Sequence, residues 1–214
     1  GYMGSRQAIE PLILAMQDRD EEVKIAAARS LGYIGDRRAI EPLIRGLSDV
    51  DDRVRYAALE ALKDPGGTVQ GYLVGSLRTE DKEFRAGVAE ALEAAGWEPQ
   101  TGEELALYLM ALDRWAEVER VGEDALPVLT EALSDPSIEM RANAVKAITR
   151  IGGGKAVAPL IGALRDDAIV VRMRAARALV DMGDAAIPAL TEAAAEALPE
   201  VREGLQRIID EIRR

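Results

Sequence analysis

Arg37–Asp64 reads RRAIEPLIRGLSDVDDRVRYAALEALKD, and the spacing of its apolar residues decides the fold. Ile40, Leu43, Ile44 and Leu47 recur at i, i+3, i+4 and i+7, one stripe of an amphipathic helix. Pro42 falls in the first turn of that helix, where no intrahelical N–H is needed. Ser48 to Asp52 supply a turn and the N-cap of a second helix. The inner face of that helix carries Val54, Ala57, Ala58, Ala61 and Leu62, and its alanines let a neighbour approach closely. Neither helix is long enough to stand alone in water, so each pair needs another pair to stack on.

The unit recurs along the chain. A basic residue early in the second helix falls at Lys24, Arg55, Arg85, Arg141, Arg172 and Arg202, at intervals of 31, 30, 56, 31 and 30 residues. Six residues before it stands Asp18, Asp49, Asp135 or Asp166, with Thr79 in place of Asp in the third copy and Glu196 in the last. The first-helix proline recurs at Pro11, Pro42, Pro127, Pro159 and Pro188. Copies fall near 6–35, 36–64, 68–96, 123–152, 153–183 and 184–213. The long interval adds a diverged pair over 97–122, with helices expected over 103–112 and 114–121. Trp97 and Trp115 lie there and read as plugs for the interrupted stack, with an exposed partner anchor as the alternative.

Some stretches depart from the pattern. In the first copy, Ile9, Leu12, Ile13 and Met16, then Val23, Ala26, Ala27, Leu31 and Ile34, are expected inside. No polar cap precedes that copy, so its first helix is expected to be exposed, to pair with another chain, or to mark a fragment. Gly1-Tyr2-Met3 resembles a remnant ahead of a start methionine. Asp64-Pro65-Gly66-Gly67 is a break, and Gly71, Gly75 and Gly87 weaken the third copy into the expected flexible joint. The last helix, with Leu205, Ile208, Ile209 and Ile212 inward, reads as a closing cap.

AIEPLI at 39–44, DDRVRYAALEAL at 51–62 and AARALVDMGD at 175–184 resemble HEAT repeats, in particular the short HEAT-like repeats of phycobilisome lyase subunits. GWEPQTGEELALYL resembles a segment that recurs between such repeats. The resemblance implies an all-α fold: a right-handed, armadillo-like α-solenoid of about seven stacked helix pairs, one array over 1–214. It also implies an inter-repeat ladder and a concave face lined by the second helices. One solenoid serves many tasks, so the resemblance speaks for fold far more than for function.

The ladder positions are Asp18/Lys24, Asp49/Arg55, Asp135/Arg141 and Asp166/Arg172. Each Asp can accept from a basic side chain and from backbone N–H groups of its turn. Lys24 lacks the guanidinium fork, so the first rung is expected to be weaker. On the concave face the residue after the basic position gives Ile25, Tyr56, Ala86, Ala142, Met173 and Glu203. Four residues on lie Arg29, Glu60, Glu90, Lys146, Arg177 and Arg207. An outward line of Ile25, Tyr56 and Met173 beside mixed charge is what a peptide or helix groove needs. The candidate partner-binding residues are therefore Ile25, Arg29, Tyr56, Glu60, Lys146, Met173 and Arg177. Scattered exposed apolar groups, or packing against a second copy, would read the same way.

Catalytic chemistry is not evident. The chain has no histidine and no cysteine, which removes Ser-His-Asp and Cys-His constellations, disulfides and zinc–thiolate sites. HEAT-repeat deoxyhypusine hydroxylases are similar in outline but need His-Glu pairs for iron, and this chain has none. Asp49, Asp51, Arg53 and Glu60 match part of a calcium-loop spacing, but Val54 stands where glycine is needed, so they read as a helix cap. Gly152-Gly153-Gly154-Lys155 lacks the phosphate-loop spacing and reads as a helix end. A net charge of −11 and a pI near 4.7 argue against nucleic acid. No signal peptide or long apolar run is present, so a cytoplasmic protein with no membrane contact is expected. The reading is a non-enzymatic scaffold with no cofactor and no metal, binding an unknown protein or peptide, monomeric or weakly self-associating through its first repeat. A bilin lyase or isomerase-like subunit and a HEAT-like nucleic-acid repair protein are the alternatives.

Overall fold

The computed structural model describes residues 7–63, 68–79 and 81–214. Among them fourteen α-helices form seven pairs joined by short turns, with no strand. The fold is an all-α solenoid of helix pairs. Backbone contacts gather the chain into two compact units, Gly1–Gln100 and Thr101–Arg214. The boundary falls within the stretch that interrupts the repeat spacing. Gly1-Tyr2-Met3 and the Asp64–Gly67 break lie outside the described residues.

The N-terminal unit contains α1 (Ile9–Ala15), α2 (Glu21–Ile34), α3 (Ile40–Gly46), α4 (Asp52–Leu62), α5 (Thr68–Ser76) and α6 (Lys82–Ala94). Each second helix begins at an aspartate whose side chain accepts a backbone N–H: Asp20 from Glu22, Asp51 from Arg53 and Asp81 from Phe84. These caps satisfy donors that the first helical turn leaves open. Gly35 closes α2 in the left-handed conformation, φ 64°. Helices α1 and α2, α3 and α4, and α5 and α6 pack as pairs, α2 lies along α4, and α6 touches α3 and α4. Ile9, Leu31, Ile44, Leu62, Leu73, Leu77 and Leu92 fill the layers between them.

The closest joint between helices of the N-terminal unit is α2 on α4. A Cβ placed on Gly32 would sit 2.6 Å from the Ala61 Cβ, so the two backbones meet almost directly. The inner face of α2 follows from this joint: Ile25, Ala28 and Gly32 share one stripe toward α4, and Ile25 and Ala28 are buried. Val23 and Ala26, expected inside, are exposed. Their repeat equivalents Val54 and Ala57 are buried because α4 has α2 beside it. Among the described residues no helix pair precedes α1 and α2.

The C-terminal unit contains α7 (Gly102–Ala111), α8 (Trp115–Val121), α9 (Leu126–Ala132), α10 (Ile138–Ile151), α11 (Gly154–Ala163), α12 (Ile169–Asp181), α13 (Ile187–Glu196) and α14 (Pro199–Ile212). Within it α8 packs on α10, α10 on α12, and α12 on α14, while each first helix lies against its own second helix. Pro127 and Pro188 sit in the first turns of α9 and α13. Gly152 and Gly153, with φ of 67° and 77°, turn the chain from α10 into α11. The Gly152–Lys155 stretch is thus a helix end and a turn. Trp97 and Trp115 are both half-buried, and the Trp115 indole N–H donates to Asp113 at 2.6 Å.

Candidate partner-binding face

The second helices carry both sets of candidate residues, the ladder at their starts and the open face beyond it. In the five copies with arginine the basic side chain first serves its own repeat, and Arg85 does so by donating to the Thr79 carbonyl. Arg55 donates to the Asp49 and Val50 carbonyls at 2.7 and 3.2 Å. Arg141 donates to the Asp135 and Pro136 carbonyls at 2.8 and 3.1 Å. Arg172 donates to the Asp166 and Asp167 carbonyls, both at 2.8 Å, and Arg202 to the Ala194 and Ala197 carbonyls, both at 3.0 Å. These carbonyls lie in or just after the last turn of a first helix, where acceptors lack intrahelical partners. The aspartates do the same for N–H groups: Asp18, Asp49, Asp135 and Asp166 accept from residues 20, 51, 137 and 168.

The cross-link between repeats is displaced from the six-residue pairs that the sequence presents. Lys24 reaches Asp49 of the next copy at 2.6 Å, and Arg141 reaches Asp166 of the next copy with Nε at 2.7 Å and a second guanidinium nitrogen at 3.0 Å. Arg141 also contacts Asp167. The fork engages both Asp166 oxygens, whereas Lys24 makes a single contact. Where the next copy carries Thr79 in place of Asp, Arg55 turns back to Asp52 in its own helix.

The charges respond to this pairing. Burial pushes the Asp166 carboxyl up, but the Arg141 guanidinium and the Ala168 N–H outweigh burial and hold it below the usual carboxylate range. Burial acts likewise on Asp49, and the Lys24 ammonium and the Asp51 N–H bring it below that range. Lys24 and Arg141 are raised, chiefly by hydrogen bonding to their aspartates. Asp51 is lowered by its Arg53 partner and by the Arg53 N–H, as a helix cap requires. The Asp49–Glu60 stretch is therefore cap and ladder. Among the described residues no group of three His, Cys, Asp or Glu side chains is placed to hold a metal ion.

On the open face Arg29, Tyr56, Glu60, Lys146, Met173 and Arg177 are exposed, Tyr56 by 62% and Met173 by 65%. Ile25 is not: it is 6% exposed, because the Gly32–Ala61 contact draws its stripe into the α2–α4 interface. Ala142 is buried as well, while Ala86 and Glu203 are exposed. Between α2 and α4 lies a groove of about 330 Å³ lined by Glu22, Ile25, Arg29, Asp52, Arg53 and Tyr56. Ile25 thus contributes to its floor rather than to an outward row. Arg53 bridges the groove to Glu22 at 2.6 Å. That pair has a sequence signal the repeat reading passed over: opposite charges at equivalent positions of consecutive copies. Lys155–Glu123 at 2.7 Å and Arg38–Glu10 at 3.1 Å also link positions about one repeat apart.

The family model for HEAT repeats matches residues 1–63 and 126–208. The chain belongs to the HEAT-repeat family. The HEAT match omits the glycine-bearing third copy and the diverged pair, and the repeat spacing lapses only at the second of these. No curated protein matches the chain. Among solved structures, human deoxyhypusine hydroxylase in complex with glycerol is 23% identical over 96% of this chain and 84% of its own, with a TM-score of 0.37. A designed armadillo repeat protein is 20% identical over 94% of this chain and 98% of its own, with a TM-score of 0.31. Another designed armadillo repeat protein, in complex with the peptide (KR)4, shows the same identity, coverage and score. Likeness at this level says nothing about activity. Among the described residues no helix is long and apolar enough to cross a membrane.

Proposed function

We propose that this HEAT-repeat chain is a non-catalytic interaction scaffold that holds a protein or peptide on the open face of its second helices. The observation that supports it most is the exposure of two large apolar side chains at one repeat register. Tyr56 in the N-terminal unit and Met173 in the C-terminal unit each stand beside exposed charges. An apolar anchor within a charged rim is the composition of a recognition surface. In the N-terminal unit the anchor also borders a groove with the Ile25 side chain in its lining. The motifs AIEPLI and DDRVRYAALEAL support placement in the phycobilisome-lyase-like branch of the family, and the acidic balance supports a partner other than nucleic acid. The same reading places the protein in the cytoplasm.

The experiment is affinity capture from lysate of the source cells, with wild type beside a Tyr56→Asp, Met173→Asp variant whose fold is verified by circular dichroism. Capture of a partner by wild type and its loss from the variant is the expected result. Equal capture of that partner by both proteins would move the interface elsewhere.

A further inference from the structure

The open faces of the two units differ in charge. Five residues after the basic ladder position, the C-terminal unit presents Lys146 on α10, Arg177 on α12 and Arg207 on α14, all exposed. The same register in the N-terminal unit presents Arg29, Glu60 and Glu90. Two residues after the ladder position the C-terminal unit carries Asn143, Arg174 and Gly204. The middle of its face therefore holds four cations and one acid, Glu203, at the register of Met173. Glu139, Asp181 and Asp210 lie at its margins. Arg177 contacts Asp181 at 3.0 Å yet its side chain stays 71% exposed. Arg174 crosses from α12 to donate to the Ala142 carbonyl of α10 at 3.1 Å, which closes the floor between the two helices. Met173 stands exposed beside it.

We propose that this face binds an extended acidic peptide, with carboxylates on Lys146, Arg177 and Arg207 and an apolar side chain on Met173. The proposal rests on the scaffold reading and names the chemistry of the partner. Helix α10 packs on α12 and α12 on α14. Packed helix axes lie about 8–10 Å apart, so the three cations form rungs about 10 Å apart. A chain in the extended polyproline-II conformation advances about 3.1 Å per residue with three residues per turn, so carboxylates at every third residue share one face and meet successive rungs. A peptide of about seven residues spans all three. The net charge of −11 weighs against a long polyanion more than against a short peptide, because charges beyond about 10 Å are largely screened at ordinary ionic strength. A nucleic acid fits less well. Its phosphates recur about every 3.4 Å along a strand, and those between rungs would face the marginal carboxylates.

The test is fluorescence anisotropy on the full chain with three labelled probes: the peptide Glu-Ser-Val-Glu-Ser-Val-Glu, its counterpart with Lys for Glu, and a single-stranded oligothymidine. Wild type is expected to bind the acidic peptide, more weakly at high salt. Lys146→Glu, Arg177→Glu, Arg207→Glu together are expected to weaken binding by about tenfold or more, since charge reversal replaces three attractions by repulsions. These positions are exposed, and circular dichroism confirms the fold of the variant. Equal binding by the variant, or preference for the lysine peptide, would overturn the proposal; tighter binding of the oligothymidine would reassign the face to nucleic acid. If the acidic peptide does not bind while the capture experiment still loses its partner in the Tyr56→Asp, Met173→Asp variant, the charge assignment falls and the scaffold reading stands. If both experiments fail, both fall.

Discussion

Replacing Gly32 by alanine tests the joint on which the N-terminal unit turns. An added Cβ would lie 2.6 Å from the Ala61 Cβ and 2.7 Å from its Cα, where ordinary contact is 3.4–4 Å. Neither atom belongs to the end of a flexible side chain, so α2 and α4 must part by about 1 Å. Overpacking of this kind costs about 1–3 kcal/mol. Alanine in a helix interior returns about 1 kcal/mol relative to glycine. The clash should win by about 1 kcal/mol, which lowers the melting temperature by about 2–4 °C for a chain of this length. Gly71→Ala in α5 is the matched control, because nothing lies within 4 Å of a Cβ there. That substitution should stabilise by about 0.5–1 kcal/mol. Thermal unfolding by circular dichroism reads both. The two compact units need not melt together, so hydrogen exchange of the α2 and α4 amides assigns the change to its unit. If Gly32→Ala raises the melting temperature as Gly71→Ala does, the close approach of α2 and α4 is wrong.

The remaining predictions concern the ladder and the open face. Asp166 has a folded pKa below its unfolded value, so its contribution is complete above about pH 4 and is lost as pH falls through the lower folded value. Asp166→Asn should cost about 1–3 kcal/mol at neutral pH and flatten the acid limb of stability, measured as urea midpoints across that range. Lys24→Arg should raise stability by giving Asp49 a fork like that of Arg141; a lower melting temperature would show that the first rung has no room for one. Ile25→Asp should cost about 3 kcal/mol or more, since it places a charge in the α2–α4 interface. Tyr56→Asp and Met173→Asp should each change stability by about 0.5 kcal/mol or less, and equal unfolding of all three variants would contradict the assigned exposures.

Much of the fold was legible because its signal is periodic. The stripe Ile40, Leu43, Ile44, Leu47 and the basic position at 30–31-residue intervals specify helix pairs without reference to any long-range contact. The insert helices expected over 103–112 and 114–121 run Gly102–Ala111 and Trp115–Val121. What was not legible depends on neighbours. Ile25 and Tyr56 occupy one register, but only Ile25 lies on a helix whose glycine meets an alanine of the next helix. Val23 and Val54 are equivalent in sequence and differ in burial because only Val54 has a second helix on its upstream flank. The ladder aspartates were visible six residues before their basic neighbours, yet each guanidinium serves its own turn through carbonyls. The carboxylate that completes a rung comes from the following copy, 25 residues on. Spacing along the chain cannot show that displacement, because it arises from the stacking of one pair on the next.

Oxidative footprinting of the chain with its captured partner tests the central claim most directly, because tyrosine and methionine report their own exposure. Tyr56 and Met173 should become protected in the complex while Tyr72, 46% exposed and on the first helix α5, stays as reactive as in the free protein. If Tyr56 and Met173 react equally in the free and bound states, the partner does not sit on the second-helix face.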